Sequence, residues 1–205
     1  MSSAPRLRRT QAERRATTRT ALLEAALAAL AQDGYAQLTT RGVARRAGVA
    51  QATQQHHFAT KSELVAEAMR LATWRLADEV LQRLGPEHLA DAGRQEAMLD
   101  ELWRIHRSDV FKAALELWVA ARTDDELRAA MADLVQEVRE MVAAGTAALV
   151  GDRDPGLAER VTVTLAAIRG YAMLAPVVAP DELDRTWEQA KPHLLATLRA
   201  TTARA

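Results

Sequence analysis

Residues 39–61 read TTRGVARRAGVAQATQQHHFATK, and the order of caps, apolar positions and breakers in this stretch decides the kind of chain. Thr39 or Thr40 stands where a helix N-cap belongs, because a hydroxyl there accepts a bond from a free N–H of the first turn. Val43 and Ala44 then face inward on a short helix that runs to about Ala47. Gly48 comes next, and glycine enters the left-handed backbone region of a tight turn at little steric cost. A further short helix is expected over about Gln51–His57, with Phe58 placed to close a small core. Two short helices around a glycine turn outline a helix-turn-helix.

Working outward, Leu22, Leu23, Ala26, Leu27 and Leu30 recur three and four apart. That spacing is the buried stripe of a helix from about Ala16 to Gln32, ended by Asp33-Gly34. Arg14, Arg15 and Arg19 sit on its solvated end, and residues 1–15, with Arg6, Arg8 and Arg9, are expected to form a flexible basic arm. On the other side, Thr60-Lys61-Ser62-Glu63 has the spacing of a capping box. It opens a long fourth helix to about Leu84, stopped by Gly85-Pro86, and joins the small head to a larger helical body.

Charge divides the chain at the same place. The 205 residues hold 27 Lys+Arg and 27 Asp+Glu, yet residues 1–61 carry ten of the bases and three of the acids, while residues 62–205 carry 17 bases and 24 acids. A basic head on an acidic body suits a polyanion met by one end only, and nucleic acid fits because phosphate neutralisation drives sequence-independent affinity. The absence of cysteine excludes disulfides, thiolate metal sites and cysteine nucleophiles. The N-terminal positive charge is followed by ALLEAALAALAQD, too short and too interrupted by Glu24 to span a membrane. A soluble, cytoplasmic chain without membrane association is expected. Nine glycines, six prolines, abundant Ala and Leu and no sustained two-residue alternation make the fold class all-α. The expected division is an arm at 1–15, a helix-turn-helix domain at 16–61 and a helical body at 62–205.

The run from Ala21 to Leu64, with Ala25-Ala26, Gly34-Tyr35, Thr39-Thr40-Arg41, Val43-Ala44, Ala47-Gly48-Val49, Thr53, His57-Phe58 and Lys61, resembles the DNA-binding domain of TetR-family transcriptional regulators. The likeness covers about fifty residues. It implies a homodimer whose third helix enters the major groove of a palindromic operator in double-stranded DNA. It also implies a divergent helical body, about nine helices in total, where a small-molecule effector lowers operator affinity, most simply as a repressor. Ala121-Arg122-Thr123-Asp124-Asp125-Glu126-Leu127-Arg128 is a stretch found in some members. No cofactor is implied.

Side chains near the start of the third helix can reach base edges, which selects Gln51, Thr53, Gln55 and His56. By resemblance Thr40, Arg41 and Lys61 match positions that touch phosphate or flanking bases, with Arg45 and Arg46 as further phosphate contacts. The chain departs from the family pattern at Ala50, where a serine cap is common, at Gln54, where leucine is usual, and at Gln55, where tyrosine is frequent. A buried glutamine is costly unless its amide finds partners. Gln54 is therefore expected to be half exposed.

In the body, helices are expected at about Ala90–His106, Asp109–Ala121, from a second capping box at Thr123 to Val150, from Asp154-Pro155, and after Pro180-Asp181 with a kink at Pro192. Trp74, Met98, Trp103, His106, Phe111, Leu115, Trp118, Tyr171 and Met173 are candidates for an effector cavity. Their apolar character points to a hydrophobic or aromatic ligand. Leu165, Ile168, Tyr171, Trp187, Leu194 and Leu198, on the last two helices, are candidates for a dimer interface. Two alternatives stand beside the regulator: a dimeric interaction module without specific DNA binding, and a helical enzyme. The second lacks support, because His106, Ser108 and Asp109 point to different faces, no phosphate loop or HExxH pair occurs, and adjacent His56-His57 diverge, leaving no metal set.

Overall fold

The structure, a computed structural model, describes residues 10–84, 94–150, 154 and 156–199. Among them every regular element is an α-helix: α1 Gln11–Gln37, α2 Thr40–Arg46, α3 Gln51–His57, α4 Lys61–Leu84, α5 Gln95–His106, α6 Asp109–Ala120, α7 Asp125–Val150, α8 Leu157–Ala172 and α9 Pro180–Arg199. The expected all-α class holds.

The caps explain where several boundaries fall. α1 starts at Gln11 rather than near Ala16, because the Thr10 hydroxyl accepts the Glu13 N–H (3.2 Å) while the Glu13 carboxylate accepts the Thr10 N–H (2.7 Å). Residues 11–15, expected as part of a flexible arm, are thus helical; Arg6, Arg8 and Arg9 lie outside the described residues. Gly34, at φ 73°, breaks α1 as expected, and one further turn continues to Gln37. Thr39 caps α2 through the Gly42 N–H, and Gly48 takes the turn at φ 69°. Ala50 gives α3 no side-chain cap. At α4, Thr60 Oγ1 accepts the Glu63 N–H (3.1 Å), while the Glu63 carboxylate reaches back to the Ala59 N–H (2.7 Å). Asp124, not Thr123, caps α7, accepting the Leu127 N–H at 2.8 Å. α8 begins at Leu157 behind Gly156, and Asp154 gives its carboxylate to Arg160; Pro155, Gly85 and Pro86 lie outside the described residues. α9 runs without interruption through Pro192.

Two apolar clusters organise these helices. The first joins the head to the front of the body: Leu22, Ala26 and Leu30 of α1 with Val43, Phe58, Leu64, Met69, Leu117, Leu127 and Met131. The second lies at the rear, among α5, α6, α8 and α9: Leu99, Trp103, Phe111, Val161, Ile168, Leu183 and Trp187. α6 contributes to both, and Trp118 packs against each. Burial of that much apolar surface is the main drive to fold. No helix of the described residues is long and apolar enough to cross a membrane.

Candidate nucleic-acid interface and effector region

In the head, α3 presents Gln55 and His56 to solvent, with Gln51 and Thr53 half-buried. The Arg41 Nε donates to Gln51 Oε1 at 3.0 Å, so α2 holds the first side chain of α3 in place. The guanidinium keeps its other donors for a base edge or phosphate. Thr40 is half-buried and Arg45 exposed. Lys61 donates to the Tyr35 carbonyl at 2.6 Å and lies 3.8 Å from the centre of the Tyr35 ring, and burial lowers its pKa against an opposing pull from Asp124. Two of its three protons remain to meet a phosphate. Arg46, expected as a phosphate contact, is turned instead to Gln32 (2.6 Å) and Asp33 (3.2 Å).

Gln54 departs from expectation: it is 1% exposed, not half exposed. Its Nε2 donates to the Phe58 carbonyl at 3.1 Å, which makes burial tolerable, but Oε1 has no partner. Arg15, expected on the solvated approach to α1, is carried by the extended helix to the neighbourhood of His57, whose pKa falls first through burial and then through Arg15, His56 and Arg19. The signal that locates it is Thr10-x-x-Glu13, a capping box ahead of the first apolar residue.

Head and body meet in a polar hub. The Glu116 carboxylate of α6 accepts the Tyr35 N–H at 2.8 Å, just beyond the Gly34 break, and a Cβ on Gly34 would lie 2.8 Å from the same oxygen. Tyr35 Oη donates to Asp124 (3.0 Å), as does Ser62 Oγ (3.3 Å). Burial raises the Tyr35 pKa, and the Leu127 N–H holds Asp124 below its ordinary value.

At the rear, Met98, Trp103, His106 and Phe111 are buried, and Leu115, Trp118 and Tyr171 are half-buried. The Trp103 and Trp187 rings stack at 4.9 Å and 4°, and Trp187 Nε1 donates to Asp100 at 3.1 Å. Phe111 sits edge-on to His106 at 4.8 Å and to Trp118 at 5.8 Å. Burial pushes His106 down to about 4, with Arg169 adding to it and the Leu102 carbonyl bond opposing. Trp74 (39% exposed) and Met173 (55% exposed) lie on the outside and line no interior space. The same logic corrects the dimer candidates: Ile168, Trp187, Leu194 and Leu198 are buried inside this one chain, because α5 supplies the partner surface that α8 and α9 were expected to find in a second copy. Leu165 and Tyr171 remain half-buried, while the outward-facing Val163, Leu174 and Val177 carry no distinguishing pattern in the sequence. Ser108 is the N-cap of α6. A cleft of about 360 Å³ lies on the head, floored by Ala29, Leu38 and Val43, away from the expected effector region.

Residues 22–68 match the family model described as bacterial regulatory proteins, tetR family. The HTH-type transcriptional regulator CymR of Pseudomonas putida is 36% identical over 135 residues, covering 66% of each chain, just under two thirds of that relative. An uncharacterized HTH-type transcriptional regulator of Mycobacterium bovis is 30% identical over 195 residues, 94% of this chain and 98% of the other. The multidrug binding protein EbrR, in a crystal structure with imidazole, superposes with a TM-score of 0.66 at 25% identity, covering 91% of this chain and 98% of its own.

Proposed function

The chain belongs to the tetR family of bacterial regulatory proteins and is a helix-turn-helix transcriptional regulator, and from that premise we propose a repressor that binds a palindromic operator as a homodimer and is released by a small-molecule effector. The observation that carries the DNA reading is the Arg41–Gln51 bond across the turn. It couples a cationic side chain of α2 to the first residue of α3, ready for major-groove contact, and Thr53, Gln55 and His56 lie further along the same helix. Thr40, Arg45 and Lys61 bind phosphate and fix register.

Dimerisation uses the outward face of α8 and the segment after it. Val163 (53% exposed) and Val177 (81% exposed) are unpartnered apolar side chains there, with Leu165 and Tyr171 at their flank. Exposed Gly170, where a Cβ would meet nothing, permits close approach of a second helix. The effector binds at the rear, among Met98, Trp103, His106, Phe111, Leu115, Trp118 and Tyr171; the superposable EbrR is by its own description a multidrug binding protein.

The test is selection of bound fragments from random DNA at stated salt, followed by Arg41→Ala and Lys61→Ala. A palindrome with half-sites about 34–36 Å apart, or a multiple of that, is expected. Arg41→Ala should cost about 1–3 kcal/mol and relax one base position, whereas Lys61→Ala weakens all sequences alike. Recovery of no motif would favour the interaction-module alternative. Sedimentation of Val163→Glu at micromolar concentration checks the dimer: a parent that already sediments as a monomer rules it out.

A further inference from the structure

Every polar atom of Tyr35 has a partner, and the partners fall on two sides. On one side stands the body: the Tyr35 N–H donates to Glu116 of α6 at 2.8 Å, and Oη donates to Asp124, the cap of α7, at 3.0 Å. On the other stands Lys61, the first residue of α4, whose Nζ donates to the Tyr35 carbonyl at 2.6 Å and lies 3.8 Å from the ring centre. The same carbonyl accepts the Leu38 N–H at 3.3 Å, which a second lone pair allows and which fixes its direction. Gly34, at φ 73°, turns the chain just ahead of Tyr35, where Glu116 takes the N–H.

The lysine is fixed at its backbone as well. Thr60, immediately before it, accepts the Glu63 N–H at 3.1 Å and donates to Glu126 of α7 at 2.5 Å. A lysine has a long flexible stem, and it loses much of that freedom when its ammonium is pinned against a phosphate. In Lys61 the freedom is already gone, because the half-buried side chain rests on an aromatic face and on a carbonyl. A tyrosine face attracts a cation. A contact arranged in advance also binds without the ordering cost that a mobile one carries.

We infer that Tyr35 is a positioning residue for DNA binding: anchored to α6 and α7, it holds the Lys61 ammonium where α4 meets a phosphate, so that the body sets the head's grip on the DNA backbone. This rests on the reading of Lys61 as a phosphate contact and adds the residue that regulates it. The route is one residue long, with Glu116 and Asp124 on one side of Tyr35 and Lys61 on the other, and it does not run along α4.

The experiment uses the full chain and a labelled duplex of random sequence, since phosphate contacts carry no sequence information. Affinity is measured for the parent, Lys61→Ala, Tyr35→Leu and Tyr35→Phe, and for each Tyr35 variant combined with Lys61→Ala. Lys61→Ala should weaken binding and lower the salt slope by about one. Tyr35→Leu removes ring face and hydroxyl together, and should weaken binding about three- to fivefold while Lys61 is present. Once Lys61 is gone, the same change should cost less than about twofold. Tyr35→Phe keeps the ring but frees it from Asp124; a smaller loss, about twofold, is expected with the same dependence on Lys61. Melting temperatures within a few degrees of the parent show that the variants are folded, and where Tyr35→Leu falls outside that range the cycle is read from Tyr35→Phe. A Tyr35 that is merely structural gives the same fold-loss in both backgrounds, which overturns the inference and leaves the phosphate reading standing. Tyr35→Phe that binds as well as the parent removes the body from the contact and overturns it in the same way. Lys61→Ala that binds like the parent, or a parent that ignores the duplex, overturns the phosphate reading and the inference with it.

Discussion

The seam between head and body and the rear corner of the body are built from similar material and finished differently. At the seam, Tyr35, Lys61, Ser62, Glu116 and Asp124 bond to one another across helices of both halves. At the rear, Trp118 Nε1 and Thr164 Oγ1 are buried with no hydrogen-bond partner. A closed polar network fixes one arrangement of its elements. An open one leaves polar groups unmet inside the core. Under the proposed function the seam is the part that transmits and the rear the part that receives, and α6 belongs to both.

The strongest challenge to that contrast is Trp103→Ala. Trp103 is buried and stacked on Trp187, so besides lining the proposed effector site it holds the rear core together; its loss should cost about 3–5 kcal/mol by chemical denaturation. A cost below about 1 kcal/mol would make the stack a loose wall of the site.

Acid titration comes next. His106 is held at about 4, below its ordinary 6.5, so the unfolded chain takes up a proton that the folded chain refuses. Stability should therefore fall as pH drops from about 6.5 to 4, by at most about 3 kcal/mol. His106→Gln should flatten the curve in that window, while loss below it, from Asp124 and Glu137, persists.

Asp124→Ala strikes the closed network directly, removing the α7 cap and two side-chain bonds. About 2–3 kcal/mol is expected, with Asp124→Asn milder because it keeps the cap. The finest test is one substitution made twice. Trp187→Phe loses a bond to Asp100, whereas Trp118→Phe deletes a donor with no partner. The first should cost about 1–2 kcal/mol more than the second in thermal melts; equal costs would mean that Trp118 is already satisfied.

The head is more legible in the sequence than the body, for a physical reason. Caps, turn glycines and short apolar stripes are local signals, and Thr39, Gly34, Gly48 and the bounds of α3 can be read from a few neighbouring residues. Where an apolar helix face packs depends on distant segments: Ile168, Trp187 and Leu194 read as ready for a second copy, yet α5 covers them. Gln54 misleads for a related reason, since its burial depends on a carbonyl four residues away that periodicity does not reveal. Thr164 gives no signal at all, because an unmet buried hydroxyl exists only in three dimensions.

The two left-handed glycines set different terms for evolutionary drift. A Cβ at Gly48 would meet nothing within 4 Å, so only handedness restrains that turn, and asparagine or aspartate, which tolerate the conformation, are open to it. At Gly34 even a residue that accepts the backbone would press on the Glu116 carboxylate and unfasten Tyr35. Descendants of this chain can therefore vary the turn ahead of α3 while keeping the joint at Gly34, so under the proposed function the target sequence can diverge more freely than the means of control.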